Sequence, residues 1–217
     1  MIALVDYGAG NLTSVRKALA AIGADMWTPS AAGDLGRATA MIIPGVGHFD
    51  ATRGLTDEWR AAIRMAVDRG LPLLGICVGL QWLFEGSTEA PGVPGLGLIK
   101  GTCSLFTPSV NRGQTPGLPR LKVPHVGWNS LSFPRPSRLM SGVAEGTQVY
   151  FTHSYAAPIV ADTVAVCEYG VPFSAAVERD RIAAVQFHPE KSGEAGLRIL
   201  RNWMRLVSPV TSADHAQ

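Results

Sequence analysis

Apolar positions along the chain follow two rhythms. In the first half, short apolar runs alternate with segments of helical spacing. One run opens at Ile2 and closes at Asp6, a second spans Ala40–Ile43 and stops at Pro44 and Gly45, and a third spans Leu71–Ile76. Runs of this length read as buried strands. Between them, Asn11 is placed to cap a helix that continues through Ile22, with Gly23 as its C-terminal stop. Asp57–Asp68 puts Trp59, Ile63 and Val67 on one face and Arg60, Arg64 and Asp68 on another, with Gly70 closing the helix. Strands recurring between helices predict a mixed α/β fold with a mostly parallel sheet flanked by helices.

The rhythm changes after residue 86. Residues 86–120 are rich in Gly, Pro, Ser and Thr and read as loops and short strands, with Phe106–Arg120 the loosest part. The second half is β-rich, with strands expected at Gln148–Thr152, Thr163–Glu168, Ser174–Glu178 and Ile182–Gln186 and turns at Tyr169–Pro172 and Arg179–Asp180. A closing helix from Ser192 to Leu206 carries Leu197, Leu200, Met204 and Val207 at core spacing. We therefore expect one domain over residues 1–207 and a polar, fraying tail over 208–217.

Composition narrows the class. The chain has 217 residues, 47% hydrophobic and 17% charged, which suits a single globular domain and is too apolar for disorder. Its 19 basic and 17 acidic residues give a formal charge of +2 without a long basic run, so nothing points to nucleic acid or a membrane surface. No apolar stretch approaches the ~20 residues of a membrane span. The run Met1–Val5 lacks a basic flank and reads as a first strand, not a leader. Cys77, Cys103 and Cys167 have neither CxxC pairing nor a histidine at ligand spacing, which predicts reduced thiols in a cytoplasmic protein and no metal or cofactor.

Candidate chemistry gathers where strands end. In Leu73-Leu-Gly-Ile-Cys-Val-Gly-Leu-Gln81 an apolar run meets a helical segment at a Gly-x-Cys-x-Gly turn. A sharp strand-to-helix turn of this kind pushes its central side chain into the open. The helix N-terminus behind it favours a thiolate and offers N–H groups to an oxyanion. Cys77 is therefore the candidate nucleophile, against the plain alternative of a buried thiol between two turn glycines. His188, after the strand ending in Val185-Gln-Phe, is the candidate base. Glu190 lies two residues on, where an extended segment would aim both side chains the same way. Pro44-Gly-Val-Gly47 follows another strand and could donate backbone N–H groups to an oxyanion. Asp6-Tyr-Gly-Ala-Gly-Asn-Leu-Thr13 starts like a dinucleotide fingerprint, but Thr13 stands in place of the third glycine, so no nucleotide site is expected.

Taken together, Gly75-Ile-Cys-Val-Gly-Leu-Gln81 and Phe187-His-Pro-Glu190 resemble the class I, triad-type glutamine amidotransferases. Asp6–Asn11, Pro44–Gly47, Pro124-His-Val-Gly-Trp-Asn129, Tyr150-Phe-Thr-His-Ser-Tyr155 and His188–Gly193 look like the glutaminase subunits of imidazole glycerol phosphate synthase, and these blocks span nearly the whole chain. The resemblance implies that Cys77 attacks the side-chain amide of glutamine, His188 handles the proton and Glu190 orients His188. It implies an oxyanion hole from Val78 N–H and the Gly45–Val46–Gly47 backbone. Gln81, Glu89, His153, Ser154 and Tyr155 would bind glutamine. The implied partner is the cyclase subunit, a (β/α)8 barrel that receives the ammonia, with Pro124, His125, Trp128, Asn129 and Lys191 at the interface. Cys103 and Cys167 match no functional position and are expected in the core. A glutaminase serving another synthase, a stand-alone thiol hydrolase and an inactive interaction subunit are the alternatives.

Overall fold

The computed structural model describes residues 1–106 and 121–207. The loosest stretch expected from the sequence (106–120, apart from Phe106) and the tail 208–217 lie outside the described residues. In chain order the strands are β1 (Ile2–Leu4), β2 (Met26–Trp27), β3 (Ala40–Gly45), β4 (Leu73–Cys77), β5 (Gly86–Ser87), β6 (Thr102–Leu105), β7 (His125–Ser130), β8 (Gln148–His153), β9 (Tyr155–Ala156), β10 (Thr163–Glu168), β11 (Pro172–Arg179) and β12 (Ile182–Val185). The α-helices are α1 (Leu12–Ala21), α2 (Asp57–Asp68), α3 (Val78–Leu83) and α4 (Gly193–Val207).

Among the described residues a seven-stranded sheet runs β10-β11-β12-β4-β3-β1-β2. The five strands from β12 to β2 are mutually parallel, and β11 and β10 extend the sheet antiparallel. The central strands β3 and β4 are buried throughout, as their continuous apolar runs require. Two small sheets, β5-β6-β9 and β7-β8, complete the chain. Strand β7 is absent from the sequence expectations, because His125-Val-Gly-Trp-Asn-Ser130 mixes polar and apolar residues without clean alternation. Its register is nonetheless continuous, from His125 opposite His153 to Ser130 opposite Gln148.

Three expectations are corrected by packing. First, β3 does not stop before Pro44. Met41 N–H bonds the Pro72 carbonyl on the β4 side and Ile42 accepts from Val5 on the β1 side. This alternation turns the Pro44 nitrogen toward β1, whose pairing has ended at Leu4–Ile42, so its missing N–H breaks no ladder bond. Second, α4 buries Ile199, Leu200, Trp203 and Leu206, whereas Leu197, Met204 and Val207 are only partly covered. The indole of Trp203 removes more apolar area than the alternative stripe and sets the rotation. Third, Pro189–Lys191 form a 3-10 turn rather than an extended segment.

The junction of β3, β4 and α3 is the tightest place in the fold. A Cβ on Gly79 would overlap the Ile43 carbonyl oxygen, and one on Gly75 would stand 2.8 Å from the Gly79 carbonyl oxygen. The Gly-x-Cys-x-Gly pattern is thus a packing requirement on both sides of Cys77. We predict that Gly79→Ala destabilises the protein by about 3 kcal/mol, because strand β3 must move to admit a methyl group. Urea unfolding of the variant checks this. A loss of only a few tenths would mean that β3 and α3 are not held at this separation.

Candidate active site

Cys77 closes β4 and starts α3 with φ 54° and ψ −107°, a conformation side chains other than glycine rarely adopt. The strain is held by the close-packed glycines on either side and places the sulfur at the wall of a pocket of about 230 Å³. Val46, Gly47, Val78, Gln81, Glu89, Pro124, His153, Ser154 and Tyr155 share that wall. The sulfur lies 4.0 Å from the Thr152 carbonyl oxygen and accepts from Gln186 Nε2 at 3.7 Å.

His188 follows β12, the strand beside β4. Its backbone N–H bonds the Tyr150 carbonyl, and its carbonyl accepts from Ser192 Oγ at 2.6 Å. Ser192 Oγ in turn accepts the Tyr150 N–H at 3.0 Å, so strand β8 grips the histidine from both ends. His188 Nδ1 lies 2.8 Å from Glu190 Oε1, both side chains nearly fully buried. The pair meets across the 3-10 turn, not along an extended strand. The carboxylate accepts the Nδ1 proton and leaves Nε2, which has no hydrogen-bond partner, for chemistry. Burial alone would pull the His188 pKa down. Interaction with Cys77 and with Glu190 outweighs it and raises the value to about 10.

The remaining expected residues divide. Gly45 lies in register opposite Cys77, and Gly47 has φ 101° at the loop that follows. Glu89 Oε2 accepts the Phe49 N–H at 2.8 Å, so this carboxylate also anchors the loop beyond Gly47. Pro124 is part of the pocket wall. Trp128 is 53% exposed and packs edge-on to Tyr150 at 6.1 Å, and Lys191 Nζ stands 5.6 Å above the same Tyr150 ring. His125, expected at the interface, is buried at 2% exposure and stacks 4.0 Å from Tyr169. Its ring faces inward and does not share the surface of Trp128.

Sequence reasoning missed Gln186, Ser192 and Tyr7. Gln186 is a polar residue at the end of an apolar strand one step beyond the Val185–Ile76 pair, which was the available signal. The Tyr7 hydroxyl is buried without a partner, where a Cβ on Gly45 would collide with it. Burial, and secondarily the charge of Cys77, pushes its pKa up. Cys103 and Cys167 are buried as expected, and burial pushes the Cys167 thiol up to about 12. A larger depression of about 600 Å³ lies elsewhere. There Arg138 pairs with Glu178 at 2.9 Å and Arg179 with Asp162 at 3.4 Å, while Arg135 donates to the Thr163 and Glu178 carbonyls, so most of its charged side chains already have partners. Among the described residues no His/Cys/Asp/Glu cluster could hold a metal, and no helix is long and apolar enough to cross a membrane.

His125 Nδ1 lies 3.2 Å from His153 Nε2, and His153 Nδ1 lies 2.9 Å from the Tyr155 carbonyl. Burial pushes His125 down to about 4 and His153 down to about 3, so both rings are neutral at pH 7. An unfolded chain protonates histidine near pH 6.5, so below that pH the unfolded state binds more protons at these positions than the folded one. Stability must therefore fall as pH drops from about 6.5 toward 4, by up to about 1.4 kcal/mol per pH unit for each ring. We expect His125→Phe, which keeps the stacking, to shed part of this acid sensitivity when urea unfolding is compared at pH 7 and pH 5. An unchanged difference between the two pH values would show that His125 titrates normally in the folded protein.

Comparison with known proteins agrees with this geometry. The glutamine amidotransferase class-I family model matches residues 3–206. The chain is 42% identical to the imidazole glycerol phosphate synthase subunit HisH of Deinococcus radiodurans, over 96% of this chain and 94% of that protein. It is 46% identical to the HisH subunit of Geobacillus kaustophilus, over 96% of this chain and 98% of that protein. Among solved structures, a glutamine amidotransferase superposes with a TM-score of 0.70 at 18% identity, over 95% of this chain and 98% of the other. The glutaminase domain of Trypanosoma brucei CTPS with bound acivicin gives 0.58 at 15% identity, over 94% of this chain and 93% of the other. At those identities the structures speak to the fold alone. Fold and sequence together establish that the chain belongs to the class-I glutamine amidotransferases, in the group of the imidazole glycerol phosphate synthase HisH subunits.

Proposed function

We propose that this chain hydrolyses glutamine to glutamate and ammonia and passes the ammonia to the cyclase subunit of imidazole glycerol phosphate synthase, in histidine biosynthesis. The observation that carries the reading is the meeting of Cys77, His188 and Glu190 at the ends of adjacent strands β4 and β12, beside a pocket of small-metabolite size. The names of the relatives, HisH subunits of imidazole glycerol phosphate synthase, support this choice of partner.

In this reading the Cys77 thiol proton already rests on His188 Nε2, as the raised His188 pKa requires, and the thiolate attacks the side-chain amide carbon of glutamine. The C–O π pair moves onto oxygen, where the Val78 N–H and the Gly45–Val46–Gly47 backbone receive the negative charge. His188 then delivers its proton to the departing nitrogen, the C–N bond breaks, and ammonia leaves a glutamyl thioester. Water, losing a proton to His188, attacks the thioester. The C–S bond breaks, glutamate departs and the thiolate–imidazolium pair is restored. Glu190 holds the imidazolium through both half-reactions.

Gln81, Glu89, His153, Ser154 and Tyr155 line the substrate side. Gln81 Nε2 is occupied by the Tyr155 carbonyl and by Gln186 Oε1, so only Gln81 Oε1 remains to take a substrate N–H. Ammonia must travel without meeting bulk water, which calls for a sealed joint. The exposed apolar side chains Leu105, Leu121, Val123, Val126 and Trp128 suit one, with Lys191 offering a charge at its rim.

Glutamate release tests the proposal. The chain alone should be nearly inactive and should gain orders of magnitude in rate with the cyclase subunit and its nucleotide substrate analogue. Cys77→Ala should lose more than about a thousandfold of that activity. High turnover alone, indifferent to the cyclase, would instead favour a stand-alone thiol hydrolase.

A further inference from the structure

Behind Cys77 the polar side chains form one directed chain of hydrogen bonds, and its direction can be read from a single group. The Tyr155 carbonyl oxygen can only accept. Two side-chain nitrogens approach it at 2.9 Å, His153 Nδ1 and Gln81 Nε2. Gln81 therefore turns its NH2 toward Tyr155, and the same nitrogen lies 3.2 Å from the side chain of Gln186. A donor there requires the Gln186 oxygen to face Gln81. The Gln186 NH2 is then left facing Cys77, 3.7 Å from the sulfur, a hydrogen-bond length suited to so large an acceptor. Gln186 is fully buried and Gln81 nearly so, which leaves little room for water to replace either bond.

On the other side of Tyr155 the argument continues. His153 carries its proton on Nδ1, so its Nε2 accepts from His125 Nδ1 at 3.2 Å. His125 Nε2 lies 3.4 Å from Asn129 Nδ2, which also donates to the Glu168 carbonyl at 3.0 Å. Each link has one donor and one acceptor, and reversing any amide would set two oxygens or two N–H groups against each other.

We infer that Gln186 is a further catalytic residue, whose side-chain N–H group stabilises the Cys77 thiolate, and that Gln81 positions it by holding its amide in the donating orientation. The inference rests on the reading of Cys77 as the nucleophile. Apart from the N–H groups at the start of α3, which this reading assigns to the oxyanion, the other groups at the sulfur do not supply this. The Thr152 carbonyl, 4.0 Å away, can accept only from the neutral thiol, and His188 must let go of the sulfur when it carries its proton to ammonia. A fixed neutral donor stays in place through every step. The assignment also gives Gln81 a task besides lining the pocket.

The experiment is alkylation of Cys77 by iodoacetamide at pH 7, followed by mass spectrometry of each cysteine peptide. It needs neither glutamine nor the cyclase. Buried Cys103 and Cys167 report on the integrity of the fold in the same sample. Gln186→Met keeps the bulk and removes the donor, so Cys77 should react about tenfold more slowly while Cys103 and Cys167 stay protected. Gln81→Glu cannot donate to Tyr155 or to Gln186. The Gln186 amide should flip its oxygen onto the sulfur and slow alkylation at least as much. Wild-type reactivity in Gln186→Met would overturn the catalytic assignment. A slow Gln186→Met with a wild-type Gln81→Glu would overturn the positioning role. Should Gln186→Met expose Cys103 or Cys167, Gln186→Glu takes its place. A carboxylate against the sulfur must slow alkylation too, and an unchanged rate there would equally sink the idea. Slow alkylation in both variants, from a wild-type protein that releases no glutamate with the cyclase, would leave Gln186 in its role and refute the proposed partner reaction instead.

Discussion

The separation of β3 from the start of α3 is the constraint on which the site depends. Gly79 lies against the Ile43 carbonyl so closely that no side chain fits, and Gly75 lies against the backbone of Gly79 in the same way. With α3 clamped onto the two strands, the chain has no room to relax at Cys77, and its φ of 54° persists. The same clamp brings Gly45 into register with Cys77, where the Tyr7 hydroxyl and the Val78 Cβ take up the space a side chain at Gly45 would need. Elbow and strand β3 are therefore one mechanical unit. A change that loosened either would displace the sulfur relative to the N–H groups that would receive the oxyanion.

Burial then divides the histidines by their company. His125, His153 and His188 are all buried, and burial disfavours the charged form of each. His125 and His153 have no carboxylate beside them, only a carbonyl, an amide and one another, so desolvation prevails, the charge of His188 pushes His153 further down, and both stay neutral. His188 meets Glu190 at 2.8 Å and the Cys77 sulfur, and their interactions overcome the same penalty. One low-polarity interior thus holds a proton carrier beside two rings that cannot compete for its proton. That separation matters because His153 shares the pocket wall with Cys77.

What the sequence made legible was whatever depends on local pattern. The apolar runs of β1, β3 and β4, the Asn11 cap of α1 and the span of α2 come from short-range rules; cap and α2 stand as expected, and the three strands form where expected with ends shifted by one or two residues. The elbow was legible because its two glycines are needed within two residues of Cys77. What was not legible depends on neighbours far along the chain. Pro44 continues a strand because β1 ends beside it, which no window around Pro44 reveals. Strand β7 exists through its pairing with β8, not through its own alternation. His125 sits in a block that looks superficial, and its burial follows from the ring of Tyr169 stacked upon it. The His188–Glu190 contact was foreseen with the wrong backbone, because Pro189 starts a turn where an extended strand was expected.

The substrate-side residues show why a list of positions understates such a site. Gln81, His153 and Tyr155 were each expected to touch glutamine, yet in the folded chain they first bind one another through the Tyr155 carbonyl. A partly buried acceptor that satisfies two donors fixes both donors' hydrogens, and each fixed side chain passes that orientation to its next neighbour. The pocket therefore presents a polarity settled before any ligand arrives. Preorganisation of this kind spares the site from turning its dipoles as charge develops on sulfur or oxygen. It also ties that polarity to β7, since Asn129 at one end of the chain and Gln186 at the other belong to the same run of bonds. Trp128, the residue before Asn129, lies exposed on that strand. A protein docking on Trp128 would thus press on a strand whose next side chain is already wired, link by link, to the wall of the pocket.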